Sequence, residues 1–424
     1  MVFCAVLHHG CTMTCEIIIM NRGAAVLAAD STVTVTRWVD NREVKRYFKS
    51  VNKVFQISKH RPVGMMVYGS GDLQAVPWEV VAKAFRGHLA DRGFRTLPEY
   101  ADCIREFIQT ADNIFPRAYR EEVFKADIRK AALRFFFEVI EPDQNFQNGA
   151  TDADKIAASA ALLSDSLTRV DAIAFLPGFL QADLDDAITQ FYDELKMTLD
   201  GYNIPIDTEK LAEFAIKGIF KAQLYMSESG VVITGFGDDE FFPRSVEFTI
   251  YGNILGKVAY KMLGTGDIDY ANASYLKGFA TTQMINTFLL GVSPEAFEDA
   301  DLGCKESLAN IASALGQANH PDLNDLIERE SGLFRQKLLN RSGQKNFEPL
   351  KSIVAVLPVD EMAHLAETLV SLESLKEKVT RPTESVGGPV DVAVITRGEG
   401  LIWIKRKHYF DPALNPRYFQ RTGL

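Results

Sequence analysis

The strand-like segments of this chain fall into three blocks that lie far apart in sequence, and that spacing limits the folds open to it. The first block, "CEIIIMNRGAAVLAA" (residues 15–29), reads as two short strands joined by a tight turn at Asn21-Arg22-Gly23. "NKVFQIS" and "VGMMVYGS" add strands around Val54–Ile57 and Val63–Tyr68. A helix follows from about Val76 to Leu89, with Val80, Val81, Ala84, Phe85 and His88 as its buried stripe. Strands return at "GVVITGFG" (230–237) and "SVEFTIYG" (245–252), and a third block closes the chain with "VDVAVITRG" and "GLIWIKRK". Between the blocks the periodicity is helical: about 97–225, Asn272–Leu290, 293–346, and then "VDEMAHLAETLVSLESLKEKV". Sheets built from such distant segments predict one α+β layered domain carrying helical insertions. No repeat, low-complexity tract or Pro/Ser-rich linker divides the chain into tethered units.

The 424 residues are 47% hydrophobic, ample for a real core. A net charge of −10 argues against general nucleic-acid binding, which needs a basic face for phosphates. The five cysteines (Cys4, Cys11, Cys15, Cys103 and Cys304) form neither a disulfide framework nor a metal-ligand spacing, which fits a reducing, cytoplasmic setting. No apolar run approaches a membrane span. The opening "MVFCAVLHHGCT" lacks a basic region and is interrupted by His8 and His9, so it reads poorly as a signal peptide.

Met13 and Thr14 precede the first strand. A threonine hydroxyl is a weak nucleophile until a base takes its proton, and an N-terminal α-amine, with a pKa near 7.7–8.0, is such a base on the same residue. This chemistry needs no histidine, which suits a chain with seven histidines and no evident triad. Translation from Met13 followed by methionine trimming exposes Thr14. Translation from Met1 makes residues 1–13 a leader to be cut at Met13–Thr14.

"TCEIIIMNRGAAVLAAD" (14–30) resembles the amino terminus of mature proteasome β subunits and of their bacterial relatives, the HslV and Anbu peptidases. These are N-terminal nucleophile (Ntn) hydrolases. "VNKVFQI" is similar to the segment bearing the family's catalytic lysine, and "VGMMVYGSGDLQAV" to its next strand and Gly-Ser turn. "VGGPVDVAVITRG" looks like its late Gly-Gly strand, and "AYKMLGTGDIDYANASYL" resembles its Gly-Ser-Gly turn into the third helix. The resemblance covers roughly half of the chain.

It implies a four-layer αββα sandwich of two antiparallel sheets. The core would be about 14–95, 226–292 and 347–408, with insertions at about 97–225 and 293–346. It implies Thr14 as nucleophile, Lys53 as the cation that tunes it, Asp30 as the group that holds Lys53, and Gly69 as an oxyanion donor. Thr265 becomes a supporting hydroxyl, and Thr34 and Val67 become substrate-binding positions, Thr34 through strand addition. Chemistry supports these roles: a nearby cation depresses the pKa of amine and hydroxyl, and an oxyanion donor typically contributes ~3–4 kcal/mol. The family's Asp-x-x-Ser before the Gly-Gly pair reads "RPTESVGG" here, where Glu384 and Ser385 stand in with a shifted register.

The expected function is a threonine hydrolase that cuts amide bonds of a peptide or protein through an acyl ester on Thr14, without cofactor or metal. A homo-oligomer follows from the resemblance. An ATP-dependent unfoldase partner also belongs to it, although the sequence carries no signal of its own for one. Two alternatives stay open: a catalytically inactive proteasome-like scaffold, favoured by the altered "RPTESVGG", and a small-molecule amidase or acylase of the same superfamily. Simpler readings account for other features. Cys15 alternates away from Thr14 and belongs to the core. "GDDE" (237–240) and "GDID" (266–269) are solvated acidic loops rather than cation sites, and "KRKHYF" is a charged edge and tail.

Overall fold

The computed structural model describes residues 14–39, 42–48, 50–317, 320–380, 386–408, 410–417 and 420. The chain opens with strands β1 (Cys15–Asn21) and β2 (Ala24–Ala29), joined where Asn21 Oδ1 accepts from Gly23 N (2.9 Å) and Ala24 N (3.2 Å). This side-chain-closed turn is why Asn-Arg-Gly makes a hairpin. Strands β3 (Val33–Val39) and β4 (Arg42–Phe48) form a separate ribbon. β5 (Val54–Gln56) and β6 (Val63–Gly69) follow, then the small β7 (Asp72–Leu73) and β8 (Val76–Pro77) pair. Helices α1 (Trp78–Leu89), α2 (Leu97–Thr110), α3 (Arg117–Phe135), α4 (Gln144–Gln147), α5 (Asp152–Asp171), α6 (Gln181–Asp200) and α7 (Thr208–Ala222) lead to β9 (Ser229–Gly235) and β10 (Arg244–Ile254). Next come β11 (Lys257–Asp267), β12 (Ser274–Ala280), α8 (Gln283–Leu290), α9 (Pro294–Ala314), α10 (Leu323–Ser342), α11 (Glu348–Val354) and α12 (Val359–Thr380). β13 (Asp391–Thr396) and β14 (Gly400–Lys405) close the fold.

Two five-stranded antiparallel sheets result, in the orders β12-β1-β2-β13-β14 and β11-β10-β9-β6-β5. Each mixes strands from distant parts of the chain. Between them pack Ile18, Met20, Leu27, Val54, Met66, Val232, Phe236 and Ile395. The outer face of the first sheet, with Cys15, Ile17, Ile19 and Val26, meets α8 and α12 through Ile285, Met362, Ala366 and Leu369. The outer face of the second, with Met65, Val67, Ile233 and Phe248, meets α1 and α2 through Trp78, Phe85, Tyr100 and Ile104. The fold is thus an α+β arrangement with helices outside two facing sheets. Covered on both sides, all seven residues of β1 are buried, so its apolar run is nearly unbroken.

Several elements depart from the sequence expectation. β3, β4, β11 and β12 are strands that apolar periodicity did not show, and β12 occupies the first part of the segment expected as a helix from Asn272. In α1, Trp78, Val81, Ala82, Phe85 and Leu89 are buried, whereas Val80 and His88 are exposed. The stripe is rotated because Trp78, at the helix start, anchors it to Ser229 through its indole N–H (2.9 Å). α2 belongs to the helical layer on the second sheet, so the first insertion starts at α3 rather than at residue 97. From α3 to α7 the insertion has its own core, with Phe124, Phe135, Phe191, Phe214 and Phe220. That core is continuous with Ile254 and Ala259 of the β10–β11 hairpin, which explains why no linker marks it. The second insertion, α9 and α10, buries only Ser331 and Ser342.

Gly64 of β6 sets how closely the sheets approach. A Cβ there would lie 2.8 Å from Leu401 Cδ1 and 2.9 Å from Ile395 Cδ1, side chains of the facing sheet. Gly64→Leu is therefore expected to overpack the interior and lower stability by about 1–3 kcal/mol, read as a lower denaturation midpoint in urea.

Candidate active site

β1 and β2 bring Thr14 and Asp30 together across their open end. Asp30 N donates to Cys15 O (3.0 Å), extending the ladder one residue past β2. The Asp30 carboxylate is fully buried and accepts four donors. Cys15 N (3.1 Å) and the Lys53 ammonium reach Oδ1; Thr32 N (3.2 Å) and Gly387 N (2.9 Å) reach Oδ2. These donors come from β1, the turn after β2, the approach to β5 and the segment before β13. A carboxylate has about four lone-pair sites, so all are used.

Lys53 directly precedes β5. Its carbonyl accepts from Val67 N (2.9 Å), which pins it to β6, and its side chain is 6% exposed. Its ammonium contacts Asp30 Oδ1 and lies 3.1 Å from Glu16 Oε1. The Glu16 contact is one of charge without hydrogen-bond alignment, since that oxygen accepts no hydrogen bond. Burial disfavours the charged ammonium, but Asp30 and Glu16 together outweigh it and leave the Lys53 pKa raised.

Glu16 is the residue that sequence reasoning missed. It stands two positions past Thr14 on β1, so both point to the same face, toward the space between the sheets. Thr14 Oγ1 donates to Glu16 Oε2 at 3.2 Å, and Glu16 is fully buried. One carboxylate thus touches both the Thr14 hydroxyl and the Lys53 ammonium. Burial pushes its pKa up to about 7; Lys53 pulls it down and Asp30 adds to the rise. The available signal was a lone acid inside "CEIIIM" in phase with Thr14.

Thr14 itself is 2% exposed, and its carbonyl accepts from Thr281 N (2.8 Å). Thr281 lies in the turn from β12 into α8, where Ala280 has φ +59° and Thr282 precedes the helix. The resemblance in the sequence put a turn into a helix at Thr265. Thr265 instead sits exposed on edge strand β11, paired with Val246, its hydroxyl bonded to Asp267 Oδ2 (3.0 Å). The Thr-Thr pair ahead of "QMINTFLL" was the missed helix-start signal.

Gly69 ends β6 with φ +84°, and a Cβ would meet Glu228 O at 2.9 Å, so glycine is required there. Ser70 N bonds toward the β9 side and Val67 N toward Lys53, so alternation turns Gly69 N–H to the Lys53 edge. Val67 does not line the interior: its side chain packs on the helices α1 and α2, and only its amide serves the site, by holding Lys53. Thr34 pairs with Tyr47 in the β3–β4 ribbon, which occupies one edge of its strand. Glu384 and Ser385 lie outside the described residues, but Gly387, just after them, bonds Asp30 and accepts from Thr32 Oγ1 (2.7 Å) and Ser31 N (3.1 Å).

Facing the cluster from β6, Tyr68 stacks on Phe279 (5.2 Å) and donates to Glu247 (2.7 Å), which also holds Lys277. Gly230 makes room for this ring, since a Cβ there would lie 2.0 Å from it. The acidic loops are committed elsewhere: Asp238 and Asp239 pair with Arg61 and Arg95, Asp267 with Arg244, and Asp269 closes its own turn. No metal-binding group of His, Cys, Asp and Glu occurs among the described residues, and no described helix is long and apolar enough to cross a membrane. At the end of β14 Lys405 pairs with Glu367, and just after it Lys407 pairs with Asp391. Cys15 faces the α8–α12 side, and burial holds its thiol well above the ordinary range. The chain matches no protein-family model, and no curated protein matches it in sequence.

The raised Glu16 pKa links stability to pH. A carboxyl that keeps its proton to about pH 7 when folded, against about 4.5 when exposed, stabilises the fold fully at low pH and loses that contribution as pH rises between the two values. The wild type is thus expected to lose up to roughly 3 kcal/mol relative to Glu16→Gln between pH 4.5 and 7. Urea denaturation of both proteins across that range measures the difference.

Proposed function

We propose that this protein is a proteasome-like N-terminal nucleophile hydrolase that cleaves amide bonds of peptides through an acyl ester on Thr14. One observation carries the reading: the Thr14 hydroxyl belongs to the same buried cluster as Lys53, and Lys53 is held by Asp30, in two facing antiparallel sheets covered by helices. A threonine, a buried lysine and a carboxylate at the mouth of one hairpin are the groups that amine-assisted hydroxyl attack requires.

In this reading Thr14 is the first residue of the working chain. Its α-amine takes the hydroxyl proton, directly or through a water, and Oγ1 attacks the scissile carbonyl. Lys53, kept charged by its two carboxylates, stabilises the negative charge that builds at the reacting oxygen. Gly69 N–H, turned to the Lys53 edge, donates to the oxyanion. The amine product departs with the proton, and water resolves the ester. An extended peptide pairs with the chain after Asp30, a self-assembled oligomer encloses the site, and an unfoldase feeds it. The cytoplasm is the compartment that fits.

A second reading, a non-catalytic scaffold of the same architecture, is favoured by the 2% exposure of Thr14. Two measurements separate them. The intact mass of the purified native chain is expected to correspond to a start at Thr14. Thr14→Ala is expected to reduce peptide-amide hydrolysis to background while the chain stays folded, read as a cooperative thermal transition. A retained leader removes the α-amine as the base, full activity in Thr14→Ala overturns Thr14 as the nucleophile, and a wild type without amide hydrolysis supports the scaffold.

A further inference from the structure

The hydrogen bond from Thr14 Oγ1 ends on a carboxylate, and the chemistry above uses that carboxylate only to help keep Lys53 charged. It is not a bystander of the lysine. Lys53 already has Asp30 as a hydrogen-bonded partner, and its contact to Glu16 Oε1 lacks hydrogen-bond alignment, whereas Glu16 Oε2 is engaged by the hydroxyl. We infer that Glu16 is the proton acceptor of the Thr14 hydroxyl, so that activation of the nucleophile does not depend on a free α-amine. This rests on Thr14 being the nucleophile, and adds a base that works while its nitrogen is still part of a peptide bond.

The step balances within the cluster. The proton on Oγ1 passes to Glu16 Oε2 as Oγ1 forms its bond to the carbonyl carbon. When the tetrahedral species collapses, the leaving group takes that proton from Glu16, and the carboxylate is restored. Lys53 stays a cation throughout. A carboxylate held near neutrality by burial suits this exchange, since a base works best with a pKa close to the working pH. The titratable groups around it are fixed in role. Lys53 and Asp30 flank it, and Tyr68 faces it from β6 with its phenol pushed up by burial and by Glu247. Lys277 of β12 is committed to Glu247, and Glu373 of α12, behind the sheet, accepts from Met284 N (2.7 Å).

The test uses the full-length chain, in which Thr14 has no free amine, and a β-lactone probe. Opening of its ring acylates a hydroxyl, and the ring oxygen accepts the proton. Intact mass and peptide mapping follow label on Thr14 against pH. The wild type is expected to label with a rate that rises as pH passes about 7. Glu16→Gln should label at least about 100-fold more slowly and lose that rise. Glu16→Asp, which keeps the carboxylate, should retain the rise at reduced rate, separating a lost base from a lost fold. Equal labelling and equal pH profiles in wild type and Glu16→Gln overturn the inference while sparing the hydrolase reading. Label on a chain that begins at Thr14, with none on the full-length wild type, does the same. Label on neither chain overturns both.

Discussion

The Asp30 carboxylate is the interaction on which the rest of the site depends. It accepts from the start of β1, from the turn after β2, from Lys53 ahead of β5 and from Gly387 ahead of β13. Those four segments span most of the chain, and no two of the last three are neighbours in sequence. An aspartate buried this deeply would be costly if any donor were missing, so each is needed. The same bonds that satisfy Asp30 bring β1, the β5–β6 hairpin and the β13 strand to a common edge.

The charge balance of the cluster sets the proton affinities of Glu16 and Lys53. One lysine serves two carboxylates, and none of the three is open to solvent. Asp30, with four donors, is compensated by hydrogen bonds. Glu16, with the Thr14 hydroxyl on Oε2 and the Lys53 ammonium 3.1 Å from Oε1, is the group whose ionisation the interior resists. Lys53 gains from both neighbours and holds its proton.

Much of the architecture was legible because apolar runs bounded by turn residues identify buried strands. The β1–β2 hairpin, β5, β6, β9, β10 and β13 follow that pattern; β14 was legible from its apolar run although none of it is buried, and the run from 97 to 225 from its helical period. β11 and β12 did not. "KVAYKMLGTGD" exposes most of its residues on a sheet edge, and "SYLKGFA" lies at another edge with its apolar pairs split by Lys277 and Gly278, so neither reads as an apolar run or as a clean alternation. Missing β12 hid the turn into α8, whose Thr281 N–H bonds the Thr14 carbonyl, whereas Thr265 lies on the exposed edge strand β11. Val67 was misjudged because a strand between a core and a helical layer has two buried faces, and sequence does not say which one borders the site. The α2 boundary was misplaced because a layer helix and an insertion helix have the same period.

Lys53 came through the family resemblance of "VNKVFQI", and the hairpin that sets Thr14 and Asp30 at one end came from the sequence alone. Those residues sit in or beside short apolar runs, and local hydrogen bonding and strand alternation are governed by neighbours in the chain. Tertiary structure decided the rest: which strands share a sheet, that Gly387 completes Asp30, and that Glu16, an acid inside an apolar strand, lies between Thr14 and Lys53. These outcomes depend on contacts between segments tens to hundreds of residues apart. A carboxylate acquires its partners and its proton affinity only when such segments close over it and exclude water.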